Sequence, residues 1–185
     1  MPQSPFSAVP NGWFYENTPN DDARFVLGTV GQNPLVCVGV NPSTATPWKL
    51  DPTVERVKRR AAAQNFDSWI MLNLYPQRST DPTGMHLHYL PELMSENEER
   101  IAELMQNLTA QLGRVSLLAA WGILIDTRPY LPGMARGIAK IVDDACCDWV
   151  SIGEPLVDGH PRHPSRAPYA LPLVTFDMGG YLKTL

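Results

Sequence analysis

Three short runs of apolar residues, separated by stretches with helical periodicity, constrain this chain more than any other feature. They are Leu-Val-Cys-Val-Gly-Val at 35–40, Ser-Trp-Ile-Met-Leu-Asn-Leu at 68–74 and Val-Ser-Leu-Leu-Ala-Ala-Trp at 115–121. A strand that is apolar along its whole length must be covered on both faces, which is the condition inside a parallel sheet. Between the runs, Asp51 followed by Pro52 is a helix start, and the pattern predicts a helix to about Gln64. Ser95-Glu-Asn-Glu98 reads as a capping box. Behind it Ile101, Leu104, Met105, Leu108 and Leu112 keep helical spacing to Gly113. A further helix is predicted over 133–145, a short strand over 148–152 and a late extended stretch over 171–176. Residues 24–30 form an earlier β-rich run, closed by the turn signal Gly31-Gln-Asn-Pro34. Strands alternating with helices predict an α/β fold, with parallel strands and helices on both faces.

At 185 residues the chain fits one domain. Residues 1–22 are polar, with Trp13, Phe14 and Tyr15 as the large apolar anchors, and read as an arm over a single α/β domain at 23–185. A charged fraction of 18% excludes a charge-laced coiled coil, and 18 Pro with 13 Gly exclude a helical bundle. No apolar run approaches the roughly 18–20 residues of a membrane span, and no secretory leader is visible, so a cytoplasmic protein without membrane partners is expected. The net charge of −4 argues against indiscriminate coating of nucleic acid but leaves room for a local basic groove. The three cysteines form no C-x-x-C pair and read as buried reduced thiols.

A parallel sheet binds ligands beyond the carboxyl ends of its strands, which directs attention to 39–46, 73–81, 121–126 and 153–166. In the first, Gly39 lets a ligand approach the backbone, Asn41 offers an amide, Pro42 stiffens the turn and Ser43 adds a hydroxyl. The same residues also suit an Asx or ST turn. In the second, Asn73 interrupts an apolar strand, either as a structural brace or as a reader of a planar polar ligand, and Arg78 follows. In the fourth, His160, Arg162, His163 and Ser165 lie in a proline-held loop suited to proton transfer or to holding an anion, or else simply solvated. Too few ligands stand together there for a metal, and no cofactor motif occurs. Arg56, Lys58, Arg59 and Arg60 read as a solvated helix face.

Two resemblances rest on these residues. The segments Gly39-Val-Asn-Pro-Ser-Thr-Ala45, Asp51-Pro-Thr53, Asn73 to Arg78 and Gly159-His-Pro-Arg-His-Pro164 resemble those of an uncharacterised domain-of-unknown-function family, over roughly 22–170. More widely, Gly39 to Ser43, Asn73, Leu117 to Gly122 and His163-Pro-Ser165 resemble the motifs of the uracil-DNA glycosylase superfamily. That resemblance implies a three-layer α/β/α sandwich around a central four-stranded, mainly parallel sheet. It also implies hydrolysis of the N-glycosidic bond of a damaged or modified base. Asn41 and His163 would be catalytic, and Gly39, Pro42, Ser43, Asn73, Arg78, His160, Arg162 and Ser165 would bind substrate. The implied partners are a nucleobase, a nucleotide or DNA, with no cofactor. The chain departs from that pattern in carrying Asn41 where the most active branch has Asp, and in lacking an evident wedge leucine after Ser165, where Tyr169 or Leu171 stands nearby. The alternatives are a nucleotide- or nucleobase-binding protein without glycosylase activity, and an α/β domain whose Asn, His and Arg are structural.

Overall fold

A computed structural model describes residues 12–142 and 146–185. Seven strands form one mixed sheet: β1 (Trp13–Asn17), β2 (Arg24–Thr29), β3 (Pro34–Gly39), β4 (Ser68–Asn73), β5 (Val115–Ala119), β6 (Cys147–Ile152) and β7 (Leu173–Thr175). Their order is β1-β2-β4-β3-β5-β6-β7. The sheet therefore has seven strands rather than the expected four. Neighbours among β4, β3, β5 and β6 pair in parallel, and β1, β2 and β7 add antiparallel pairs at the flanks. The antiparallel course of β2 follows from connection length. A parallel neighbour needs a crossover of a dozen or more residues, and the loop between β2 and β3 is too short to supply one. β2 therefore runs antiparallel, on the far side of β4. Trp13–Asn17, read as part of an arm, is the edge strand pairing with β2; residues 1–11 of that arm lie outside the described residues.

The apolar runs divide their side chains between two cores, as period-two alternation requires. Leu35, Cys37, Trp69, Met71, Leu118 and Ala120 pack on one face with Val54, Val57 and Ala61 of α1 (Pro52–Ala63). Val36, Val38, Ile70, Leu72, Leu117 and Ala119 pack on the other, against Ile101, Leu104 and Met105 of α2 (Pro91–Leu112) and Met134, Ala135 and Ile138 of α3 (Leu131–Ile141). A short α4 (Met178–Leu182) places Tyr181 in the second core. Asp51 caps α1, its Oδ1 accepting from Val54 N at 2.9 Å.

Two helix starts differ from the sequence pattern. α2 begins at Pro91, so Ser95 lies inside the helix and its Oγ meets Glu99 at 3.5 Å instead of capping. Proline at the first helical position is itself a sufficient start. α3 opens at Leu131 ahead of Pro132, and the last residues of its expected span, 143–145, lie outside the described residues. The basic stretch on α1 is not wholly solvated: Arg60 is buried, donating to Leu171 O at 2.7 Å and Pro168 O at 2.9 Å. Cys146 is half-buried, whereas Cys37 and Cys147 are buried. Among the described residues no helix is long and apolar enough to cross a membrane.

Glu16 of β1 is turned inward over α2, with Arg100 Nη1 at 3.4 Å and no hydrogen bond to either carboxylate oxygen. Burial pushes its carboxyl up to about 7, with Glu103 and Glu96 adding in the same sense and Arg100 opposing. Because the folded value lies above the unfolded one, the contribution to stability is complete below about pH 4.5 and is lost as pH rises through about 7. In thermal melts across this range, Glu16→Gln is expected to flatten the decline and to melt higher than the parent at about pH 8. A parent whose stability climbs over the same interval in step with Glu16 ionisation would contradict the assignment.

Candidate functional site

The parallel strands reverse direction of travel around β3. From β3 the chain crosses by α1 to β4, and from β4 it crosses by α2 to β5 on the opposite side of β3. Such a switch point leaves a crevice beyond the strand ends. A cleft of about 700 Å³ lies there, lined from the ends of β3 and β4 (Gly39, Asn41, Asn73), the segment after β5 (Gly122 to Leu124) and the loop after β6 (Arg162, His163, Ser165).

Gly39 and Asn73 stand side by side in the β3–β4 register. A Cβ on Gly39 would come within 3.1 Å of the Asn73 side-chain amide, so glycine is what admits that side chain. The Asn73 amide is oriented with its nitrogen donating to Asn41 O and Leu72 O, each at 3.3 Å. No described hydrogen bond engages its oxygen, and the residue is buried on the cleft wall. Behind it, the fully buried Asn97 of α2 donates through Nδ2 to Asn73 O at 3.0 Å, fixing the end of β4. Asn41 is held the other way round. Its Nδ2 donates to Pro42 O at 3.0 Å and Ser79 O at 2.9 Å, and its Oδ1 has no described protein donor. Both carboxamides thus spend their donors on the backbone and leave carbonyl oxygens as acceptors.

His163 supplies a donor. Its Nδ1 accepts from Ser165 N at 3.3 Å and stands 2.7 Å from Ser165 Oγ, so Nδ1 is unprotonated and the neutral ring carries its hydrogen on Nε2. Burial pushes the imidazole down to about 4. Arg166 acts in the same sense and Asp51 in the opposite one. At neutral pH the group is therefore an uncharged donor. Gly122, at φ +58°, clears the way for it: a Cβ there would meet His163 Cβ at 3.0 Å.

The other sequence candidates separate into two groups. Ser43 and Arg162 line the cleft, Arg162 with its Nε on Glu154 O at 3.2 Å. Pro42, Arg78 and His160 do not line it. Pro42 is buried, its carbonyl holding Asn41 and Ser79. Arg78 braces the loop from below, on Ser43 O, Tyr15 Oη (2.8 Å) and Asp21 (3.0 Å). His160 belongs to a buried chain: Trp121 Nε1 donates to Tyr181 Oη at 2.9 Å. Tyr181 Oη then meets His160 Nδ1 at 2.9 Å, leaving His160 Nε2 to donate to Asp126 at 3.1 Å. Arg24 and Asp51 line the cleft but carry no site assignment from the sequence. Arg24 was legible as a charge opening an apolar strand, and Asn97 as an amide on the apolar face of α2, four residues before Ile101. Among the described residues no three His, Cys, Asp or Glu side chains are grouped as metal ligands.

Fold and geometry together define an α/β protein with a cleft at the carboxyl ends of its parallel strands. The chain belongs to the family described as protein of unknown function (DUF1643), whose model matches residues 24–165. No curated protein and no solved structure matches it.

Long-range proton–nitrogen correlation spectra are expected to show His163 as the Nε2–H tautomer at neutral pH, with a titration midpoint near 4. Ser165→Ala removes the hydroxyl but keeps the backbone N–H of residue 165 on Nδ1, so the same tautomer should persist in that variant. An imidazolium at about pH 6 in the parent would contradict this geometry.

Proposed function

We propose that the cleft receives a nucleobase and that its side chains support hydrolysis of the N-glycosidic bond. The observation that carries this reading is the neutral His163 donor sharing one cleft with the acceptor oxygens of Asn41 and Asn73. A nucleobase presents donors and acceptors in one plane, and two carboxamides with an imidazole are the complement of such an edge. In the reaction, the bond from C1′ to the base nitrogen breaks and its electron pair leaves with the base. The oxygen of water bonds to C1′. Asn41 Oδ1 orients that water by accepting a hydrogen bond, and Asn73 holds the base edge. His163 Nε2–H donates to the base oxygen on which negative charge develops. A carboxamide cannot take the proton that water loses. Asp51 is the one carboxylate among the described cleft residues, and it is the group able to accept that proton.

The resemblance of Gly39 to Ser43, Asn73 and His163 to Ser165 to motifs of the uracil-DNA glycosylase superfamily supports the same reading, as does the parallel centre of the sheet. A damaged or modified base is the substrate class it implies, presented in DNA by flipping.

A second reading, binding of a nucleobase or nucleotide without bond cleavage, is favoured by two observations. Position 41 is a carboxamide with no basic character. In place of a free wedge residue after Ser165, the Tyr169 ring is stacked 5.1 Å from the Arg56 guanidinium and 5.8 Å from that of Arg60.

Incubation with duplexes carrying uracil, hypoxanthine or oxidised bases, and with the matching nucleosides, separates the two by chromatography of released base. Release is expected from the parent. It should fall about a hundredfold or more in Asn41→Ala and His163→Ala, the scale of losing one preorganised group. Release from none of these substrates would leave the binding reading; release undiminished in both variants would place the chemistry elsewhere.

A further inference from the structure

Resting on the nucleobase reading, we propose that the ligand carries a terminal phosphate, and that Arg24 binds it. Arg24 opens β2, is 1% exposed and lines the cleft. Its Nη1 donates to Ala45 O at 2.9 Å. Its Nε is buried without a partner, and no described hydrogen bond engages its Nη2. Nε and Nη2 together form the side-on edge of a guanidinium, the edge that grips an oxyanion with two parallel hydrogen bonds. A buried donor left unmet is costly, and a charged one more so, so this edge points to an acceptor that arrives with the ligand.

The surrounding charges favour an anion. Arg24, Arg162 and Arg166 line the cleft against a single carboxylate, Asp51, on a chain whose net charge is −4. Arg24 makes no ion pair among the described residues. Burial pulls it down to about 10, and Arg78 acts in the same sense. Asp51, Tyr15 and Asp21 oppose without offering it a hydrogen bond. The carboxylate of Asp51 is engaged as the cap of α1, on Val54 N. Beside it, the Thr53 N–H of the first helical turn has no described acceptor, and Ser43, Thr44 and Thr53 add hydroxyls to the same wall. A guanidinium this deeply buried is reached by the end of a ligand. A phosphodiester within a strand would need two chains to leave the cleft, so a mononucleotide fits better than the interior of a polymer.

Isothermal titration of the full chain with a nucleoside 5′-monophosphate, the matching nucleoside and inorganic phosphate tests this without any variant. The nucleotide is expected to bind about tenfold or more tightly than the nucleoside, the scale of hydrogen bonds to a charged group, with inorganic phosphate competing. Arg24→Lys keeps the charge and loses the fork. It should narrow that ratio while leaving nucleoside affinity unchanged, with circular dichroism checking the fold. Equal affinity for nucleotide and nucleoside would overturn the phosphate site and leave base recognition standing; binding of neither would overturn both. Oligonucleotides that bind more tightly than the mononucleotide, regardless of a 5′-phosphate, would assign the cleft to internal phosphates and overturn the proposal.

Discussion

The pairing of Gly39 with Asn73 at the carboxyl ends of β3 and β4 is the contact on which the site depends. Parallel register brings two strand ends to one level, and the missing Cβ lets a carboxamide lie against the neighbouring backbone. The chain then turns in step on both strands: Leu74 N donates to Gly39 O and Tyr75 N to Val40 O, each at 2.9 Å. This ladder carries the pairing past the regular strands and sets Asn41 over Asn73. Shifting the register by one residue would send Asn73 to the opposite face of the sheet. The reversal of strand order about β3 opens the crevice above these ends, and Asn97 of α2 braces it from the second core.

The loop after β6 completes the cleft from the other side. Its prolines limit the freedom of His163, and Ser165 fixes the ring's tautomer. Gly122, in a left-handed conformation just past β5, leaves room for it. Arg60 then ties the following segment to α1 through two carbonyls, linking the loop that bears His163 to the helix capped by Asp51. Few of these contacts are long-range ion pairs. The site is held mainly by backbone hydrogen bonds and close packing, which suits a cleft whose own polar atoms must stay unspent.

Much of the fold was legible because burial on both faces leaves a plain mark in sequence. The runs at 35–40, 68–74 and 115–121 became β3, β4 and β5, and Asp51-Pro52 opened α1 where its capping chemistry placed it. Of the flanking strands, β2 and β7 fall within the runs read at 24–30 and 171–176, whereas β1 was read as part of an arm. It is short and half-exposed, and its pairing comes from the sheet rather than from its own pattern. The capping box at Ser95 was outweighed by Pro91, a stronger start one turn earlier. Within the candidate site, segments pointed to strand ends that line the cleft, but spacing says nothing about which way a side chain turns. His160 and His163, three residues apart, face a buried tyrosine and the cleft respectively. Arg78 and Arg24 both reach the loop at 43–45, yet only Arg24 lines the cleft.

The central claim is that two carboxamides and one neutral imidazole meet a single planar ligand at the switch point. A crystal structure of the chain soaked with a nucleobase-bearing ligand at saturation tests it most directly. The account predicts a ring in the cleft, its edge within hydrogen-bonding distance of the Asn73 amide and of His163 Nε2, with its sugar-bearing nitrogen turned toward Asn41. A ligand seated elsewhere on the chain, with this cleft holding only solvent, would contradict it.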